Sequence, residues 1–227
     1  MNLFREKCQA SPIYARVAPF VIFVGLMLFN GLFGKSGTYW MYLVRTVVGL
    51  WMLWEIRPFV QEMRWKVSTE AIAVGIAMFG LWVGLDPFLP KNHILFTPTP
   101  GDEWNPFALY GAGSGMAWFF VVVRLFGSSI VVPPLEEVFW RSFLYRYSIR
   151  TNFLSVPLNL FHPTAFIVIS LCFGLEHYEW AAGFLCGMAF QGMVISKNRL
   201  GDAIAAHAIT NFLLGLWVIG RGAWHFW

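Results

Sequence analysis

Apolar residues run along this chain in seven long stretches, and most of its charged side chains fall in the gaps between them. The stretches are approximately Val17–Phe33, Tyr39–Ile56, Ala71–Leu89, Met116–Arg141, Pro163–His177, Trp180–Ser196 and Asp202–Gly220. A membrane-crossing helix needs roughly 20 predominantly apolar residues, and most of these runs come close. The fifth and sixth are short, and call for extension, tilt or shelter by neighbours. The pattern predicts an all-α, polytopic membrane helix bundle of about seven transmembrane helices (six to eight), forming a single integral membrane domain over residues 1–227. No soluble domain fits between the runs, and no internal repeat or low-complexity tract is evident.

Composition agrees. The chain is 58% hydrophobic and only 12% charged, with a mean hydropathy of +0.60, whereas a soluble domain carries about 25% charged residues. Aromatics reach 19%, and tryptophans cluster near the ends of the apolar runs, as interfacial belts require. The net charge of +4 is not a nucleic-acid signal, because the basic residues sit in short loops where they set orientation. Arg5, Lys7 and Arg16 precede the first run. Arg57, Arg64 and Lys66 follow the second, Arg146 and Arg150 the fourth, and Lys197 and Arg199 the sixth. The other side receives Lys35, Lys91 and Arg221, an asymmetry that places the N-terminus in the cytoplasm. Arg45 and Arg124 fall inside runs, near enough to the outer ends to snorkel. The first run lacks a small-x-small cleavage site and is read as retained rather than as a removed signal peptide. Cys8, Cys172 and Cys186 read as small buried hydrophobes. Prolines in the Asp86–Asn105 connection stop a helix there. Its stretch His93-Ile94-Leu95-Phe96 is expected to lie on the outer membrane surface as a structural cap. His93, His162 and His225 are given no role.

Three polar constellations interrupt the apolar runs. The first is Glu136-Glu137 with Arg141, just after Pro133-Pro134. Ionisable groups at bilayer depth cost roughly 2.5–3.5 kcal/mol each on insertion scales and are usually functional. Glu137 and Arg141 are four apart, so they share a helix face and can pair. Glu136 points about 100° away and lacks that partner, which makes it the better candidate base. The prolines should break the hydrogen-bond ladder and free carbonyls. A purely structural salt-bridge cluster is the competing reading. The second constellation is His207 with Asn211, again four apart on one face. Two donors aimed at one point suit a developing oxyanion, but an interhelical hydrogen bond would use the same spacing. The third is Phe173 with His177, where Phe173 could wall a pocket. Glu176 and Glu179 beside them could simply be solvated. By its place in the run, His177 lies too far from the cytoplasmic side to join the others unless its helix is kinked or starts late. Together these groups are the parts for hydrolysing an amide without a covalent intermediate. No Gly-x-Ser-x-Gly elbow and no His-Glu-x-x-His zinc motif is present.

Taken in order, Glu136-Glu137-x-x-x-Arg141, Phe173-x-x-x-His177 and His207-x-x-x-Asn211 resemble the three motifs of the CAAX prenyl endopeptidase and bacteriocin-processing family. This is also called the ABI or type II CAAX protease family. The resemblance covers roughly residues 116–216, which would form the protease core. It implies a helical membrane bundle whose motifs converge on a watery cavity, and glutamate-dependent proteolysis. Glu136 would activate water with His177 assisting, His207 and Asn211 would stabilise the oxyanion, and Glu137 and Arg141 would hold the site together. No cofactor is expected. Zinc is the minority reading, with ligands drawn from Glu136, His177 and His207. Eukaryotic members of the family cleave prenylated tails, but no residue here demands a prenyl group. The short chain and Trp82-Val83-Gly84-Leu85-Asp86-Pro87 look similar to bacterial CAAX protease-related members, some of which accompany exosortase sorting systems. That likeness implies the inner membrane of a bacterium, a membrane-anchored or lipidated protein or peptide substrate, and a sorting-system partner. The competing functions are a non-catalytic binding, immunity or accessory protein on the same fold, and then a small transporter, which lacks visible repeats.

Overall fold

The computed structural model describes residues 2–93 and 103–227, and among them it contains helices and no strand. In chain order the helices are α1 (Leu3–Ala10), α2 (Pro12–Gly25, running on as a tighter turn over Leu26–Phe33), α3 (Gly34–Ile56) and α4 (Thr69–Leu85). After the loop come α5 (Pro106–Tyr110), α6 (Gly115–Ile149), α7 (Pro163–Leu175), α8 (Trp180–Lys197) and α9 (Gly201–Arg221). The seven long ones coincide with the seven apolar stretches. The short helices α1 and α5 lie outside those stretches. By length and composition, Pro12–Asn30, Gly115–Ile149 and Gly201–Arg221 are able to cross a bilayer, and this is an integral membrane protein. Of the outer connection, Ile94, Leu95, Phe96, Pro98 and Pro100 lie outside the described residues, so its reading as a surface cap does too.

Local chemistry explains where the helices begin and end. Ser11, Ser68 and Ser114 each cap a helix by accepting from a backbone N–H, those of Tyr14, Ala71 and Ala117 respectively. His162 does the same for α7, its Nδ1 accepting from Ala165 N, with Pro163 at the first helical position. Asn198 and Gly222 end α8 and α9 in the left-handed conformation.

The 35 residues of α6 are one continuous helix with two widened π segments, Gly127–Val131 and Val138–Leu144. The first follows from the prolines. Pro133 and Pro134 have no N–H to donate, and the ring of Pro133 would press on the carbonyl of Ser129 in a regular α-turn. Widening the turn relieves this, and Val132 N–H donates back to Gly127 O instead. The Ser128 carbonyl then lacks a ladder donor, because the residue five ahead of it is Pro133. The helix does not stop, but a carbonyl is freed, as expected of a widened turn.

Helix α7 is too short to cross. Tyr145 ties its start to the far end of α6: Tyr145 Oη donates to Leu160 O at 3.0 Å and accepts from His162 N at 2.9 Å. From there 13 residues rise only about 20 Å against a ~30 Å hydrocarbon layer. The chain turns back before reaching the other surface, and His177, just past the end, stays level with the interior of the bundle. The turn into α8 is tight. A Cβ on Gly174 would come within 2.5 Å of Trp180 O and 2.7 Å of Phe184 N, so glycine alone permits the approach.

Candidate active site

Glu136 and Glu137 leave α6 on different sides, as their spacing requires. Glu137 is wholly buried, and its Oε1 meets both Arg141 Nη1 at 3.2 Å and His207 Nδ1 at 3.0 Å. The expected Glu137–Arg141 pair is therefore present, with a second partner that sequence spacing did not reveal. Arg141 lies 4.0 Å above the ring of Phe173 and reaches Gly187 O at 3.5 Å. Phe173 lines the cavity, as expected of a pocket wall, and also cushions the arginine. Glu136 has no such partner. Its Oε2 is shielded from solvent without a hydrogen bond, and His207 Nε2 stands 3.8 Å from it.

The two histidines are held by different means. His207 stacks on Phe190, with centroids 5.1 Å apart, and meets Phe173 edge-on at 6.0 Å. Its Nδ1 faces an arginine-paired carboxylate, so Nδ1 carries a proton and Nε2 faces Glu136. His177 Nδ1 lies 2.9 Å from Phe173 O. A carbonyl can only accept, so that nitrogen is protonated as well and Nε2 is left free. Trp82 meets the His177 ring edge-on at 5.5 Å. Asn211, one turn beyond His207 on α9, donates Nδ2–H to Ser128 O at 2.9 Å. That acceptor is the carbonyl released by the proline-widened turn. One amide hydrogen is used there, and the second remains available.

Glu136, His177, His207 and Asn211 all border one cavity of about 570 Å³. Two sequence readings change here. Glu176 is not a solvated bystander: it lines the same cavity, and its Oε1 accepts from Trp140 Nε1 at 3.0 Å. Ligand atoms of Glu136, Glu176 and His177 all lie within 4.8 Å of one another. Trp140 is four residues after Glu136, a same-face spacing that could have flagged it. Phe190 had no such signal. Arg45 and Arg124 do not snorkel outward either. Both line this cavity, with Arg45 over Phe23 at 4.6 Å and Arg124 over Trp104 at 4.6 Å.

For metal binding, the donor set within mutual reach is Glu136, Glu176 and His177, and His207 is not part of it. Two carboxylates and an imidazole suit a divalent cation, and the unbonded Glu136 oxygen fits that use.

His162 caps α7, and His93 stands edge-on to Tyr178 at 5.5 Å. His225 lies 3.7 Å from Asp86, which also pairs with Lys91.

Residues 116–213 match the family model described as type II CAAX prenyl endopeptidase Rce1-like. This is the stretch that carries all three motifs. The match implies protease chemistry in general terms, and a membrane-associated substrate. No curated protein and no solved structure matches the chain.

Proposed function

We propose that the protein is an intramembrane endopeptidase that hydrolyses a peptide bond in a membrane-associated protein or C-terminal tail with water activated by Glu136. The observation that carries this is the meeting of three separate elements at one cavity: an unpaired carboxylate from α6, an imidazole at the α7–α8 turn, and a His/Asn pair on α9. The gap between Glu136 and His177, at most 4.8 Å, suits one bridging water with two hydrogen bonds of ordinary length. Glu136 takes the water proton as the water oxygen attacks the peptide carbonyl carbon. It returns that proton to the departing amine as the C–N bond breaks. His177 Nε2 accepts from the same water and orients it. The spare N–H of Asn211 and the Nε2 of His207 face the developing oxyanion. With Nδ1–H committed to Glu137, donation from Nε2 to the oxyanion requires the imidazolium form. Arg141 and Glu137 keep His207 in place.

The positive-inside asymmetry supports a cytoplasmic N-terminus, and the likeness to bacterial CAAX protease-related members supports a bacterial inner membrane. The substrate would then be a lipidated or sorting-linked tail, and residues 116–216 would be the core of a single membrane domain. A metal-assisted version of the same hydrolysis is favoured by the Glu136–Glu176–His177 cluster. Those residues would hold the cation, which would supply Lewis-acid activation of water. Activity that survives exhaustive chelation would exclude it.

The test compares membrane-protein C-termini in cells making the wild type or Glu136→Gln at equal levels. Tail products present only with the wild type are the expected result. Identical termini, with Glu136→Gln still complementing a deletion, would replace this reading with a non-catalytic binding or immunity role.

A further inference from the structure

A second cavity, of about 440 Å³, shares no lining residue with the one at Glu136. Its walls are two helix faces and a loop. Leu50, Leu53, Trp54 and Arg57 line it from α3, at the spacing of a single helix face. Ile130 and Pro134 line it from α6, again four apart, and the α3–α4 connection closes the third side with Met63, Arg64 and Trp65. The volume is that of a small-ligand pocket. Two close approaches fix its shape. A Cβ on Gly49 would come within 2.6 Å of Val131 Cγ1, so α3 and α6 touch beside Leu50 and Ile130 and shut the deep end. A Cβ on Gly201 would strike the backbone of Arg64 and Trp65, so the connection is seated on the first turn of α9.

The lining changes character along its length. Leu50 lies seven residues before Arg57, or about 10 Å at 1.5 Å per residue. The deep end is apolar, and the end on the basic side of the bundle carries two guanidiniums. Arg57 and Arg64 are both exposed, with Arg57 standing 5.9 Å over the ring of Trp54. Among the described residues neither side chain makes a hydrogen bond or an ion pair. The acids nearest in sequence are engaged elsewhere, Glu55 with Asn2 and Arg5, and Glu62 with Arg16 and Arg146. Trp54 and Trp65 are exposed beside them, as tryptophans are at a membrane–water interface. An apolar slot that ends in uncompensated guanidiniums at that level matches a phospholipid, with a chain in the slot and the phosphate on the guanidinium forks. Among the described residues no carboxylate lines the cavity. The ammonium of a zwitterionic headgroup therefore finds no partner there, and a headgroup of net negative charge is favoured.

We propose that this groove binds one anionic phospholipid of the surrounding bilayer, its phosphate on Arg57 and Arg64 and one acyl chain along Leu50, Leu53, Ile130 and Pro134. The chain would lie against the stretch of α6 that carries Glu136, but no group of the hydrolytic cavity takes part, and binding is read without turnover.

The test uses the full chain in detergent with equal amounts of phosphatidylglycerol and phosphatidylcholine of the same chain length, and native mass spectrometry counts the lipids retained. One phosphatidylglycerol per protein should be kept about tenfold or more over phosphatidylcholine. Arg57→Gln and Arg64→Gln should each lower that preference about fivefold, and the double variant should bring it near unity. Arg150→Gln, an exposed arginine on the same basic side that does not line the groove, should leave it unchanged. Ile130→Trp fills the slot and should lower phosphatidylglycerol retention severalfold with both arginines intact. Equal retention of the two lipids, or of neither, overturns the proposal. So does an Arg150→Gln loss as large as that of the groove arginines, which would mean general surface charge. Retention unchanged in Ile130→Trp overturns the placing of the chain. Displacement of phosphatidylglycerol by neutral geranylgeraniol, with no loss in the arginine variants, overturns it in favour of an isoprenoid site.

Discussion

The protein buries charge at two places along α6, and the two are built differently. Near the basic end, Glu62 reaches in from the α3–α4 connection. Its Oε1 accepts from Arg16 Nη2 at 2.6 Å, Ser142 Oγ at 2.5 Å and Arg146 Nη2 at 3.2 Å. Ten residues up the helix from Arg146, Glu136 meets His207 Nε2 only at 3.8 Å and has an oxygen with no hydrogen bond. Glu62 is saturated by donors and does not border the cavity that Glu136 faces. Depth and charge alone do not mark a reacting group, then. Unused hydrogen-bonding capacity beside empty space does. Glu137 falls between the two cases: its Oε1 is held by Arg141 and His207 while its buried Oε2 has no hydrogen bond, and it does not line the cavity but is joined through His207 to Glu136.

The largest effect should separate these centres outright. Glu136→Gln keeps the shape and removes the base, so kcat on a cleavable tail peptide should fall about 10²–10⁴-fold, with the thermal midpoint unchanged or raised. A midpoint lowered as much as by a Glu62 variant would mean that Glu136 is structural and would dissolve the contrast.

Glu62→Gln should do the reverse. It leaves two buried guanidiniums without their counter-charge, a loss of about 3 kcal/mol, while kcat per folded molecule stays close to wild type. pH sharpens the same point. Burial pushes the Glu62 carboxyl up, but the Arg16 charge and the Ser142 hydroxyl outweigh it and hold it below its ordinary 4.5. A depressed folded value means that its stabilisation is complete above the unfolded value and is lost as pH falls through the folded one. Wild-type stability should therefore drop below about pH 4.5 by an increment that Glu62→Gln does not show. Parallel acid curves for the two proteins would count against the assignment.

Asn211→Ala comes next. It removes both the partner of the freed Ser128 carbonyl and the spare N–H turned toward the reacting carbonyl. Loss of an oxyanion donor costs about 10²-fold in kcat, and the effect should fall on kcat with KM little changed. A change in KM alone would assign Asn211 to bundle packing.

Much of the Glu136 centre was legible in the sequence, for reasons tied to α6. Helical periodicity fixed the Glu137–Arg141 pair and the divergence of Glu136, and the two prolines announced a freed carbonyl. What took it up, Asn211, was not legible, because the partner lies on another helix. The inward turn of Arg45 and Arg124 was hidden for a physical reason. In lipid the outward face of a helix is as apolar as its buried face, so hydropathy gives depth but not rotation. Glu176 was missed because its place depends on α7 stopping short. The sequence showed a short run there without showing that the chain turns back inside the bundle.

The smallest predicted effect bears on that missed residue. Trp140→Phe keeps an aromatic ring against Phe173, which now lies 6.1 Å away edge-on, but deletes the Nε1–H that Glu176 accepts. A hydrogen bond to a carboxylate is worth about 1.5–3 kcal/mol when both partners are dry, and Glu176 keeps cavity access that offsets part of the loss. A fall in kcat of about fivefold with an intact fold is therefore expected, measured beside the affinity for a divalent cation. If Glu176 helps hold a metal, loosening its supporting donor should weaken cation binding about tenfold or more. If it acts through its field on Glu136, only the pH dependence of kcat should move. Wild-type values for both would make Glu176 a second saturated carboxylate, on the Glu62 side of the comparison.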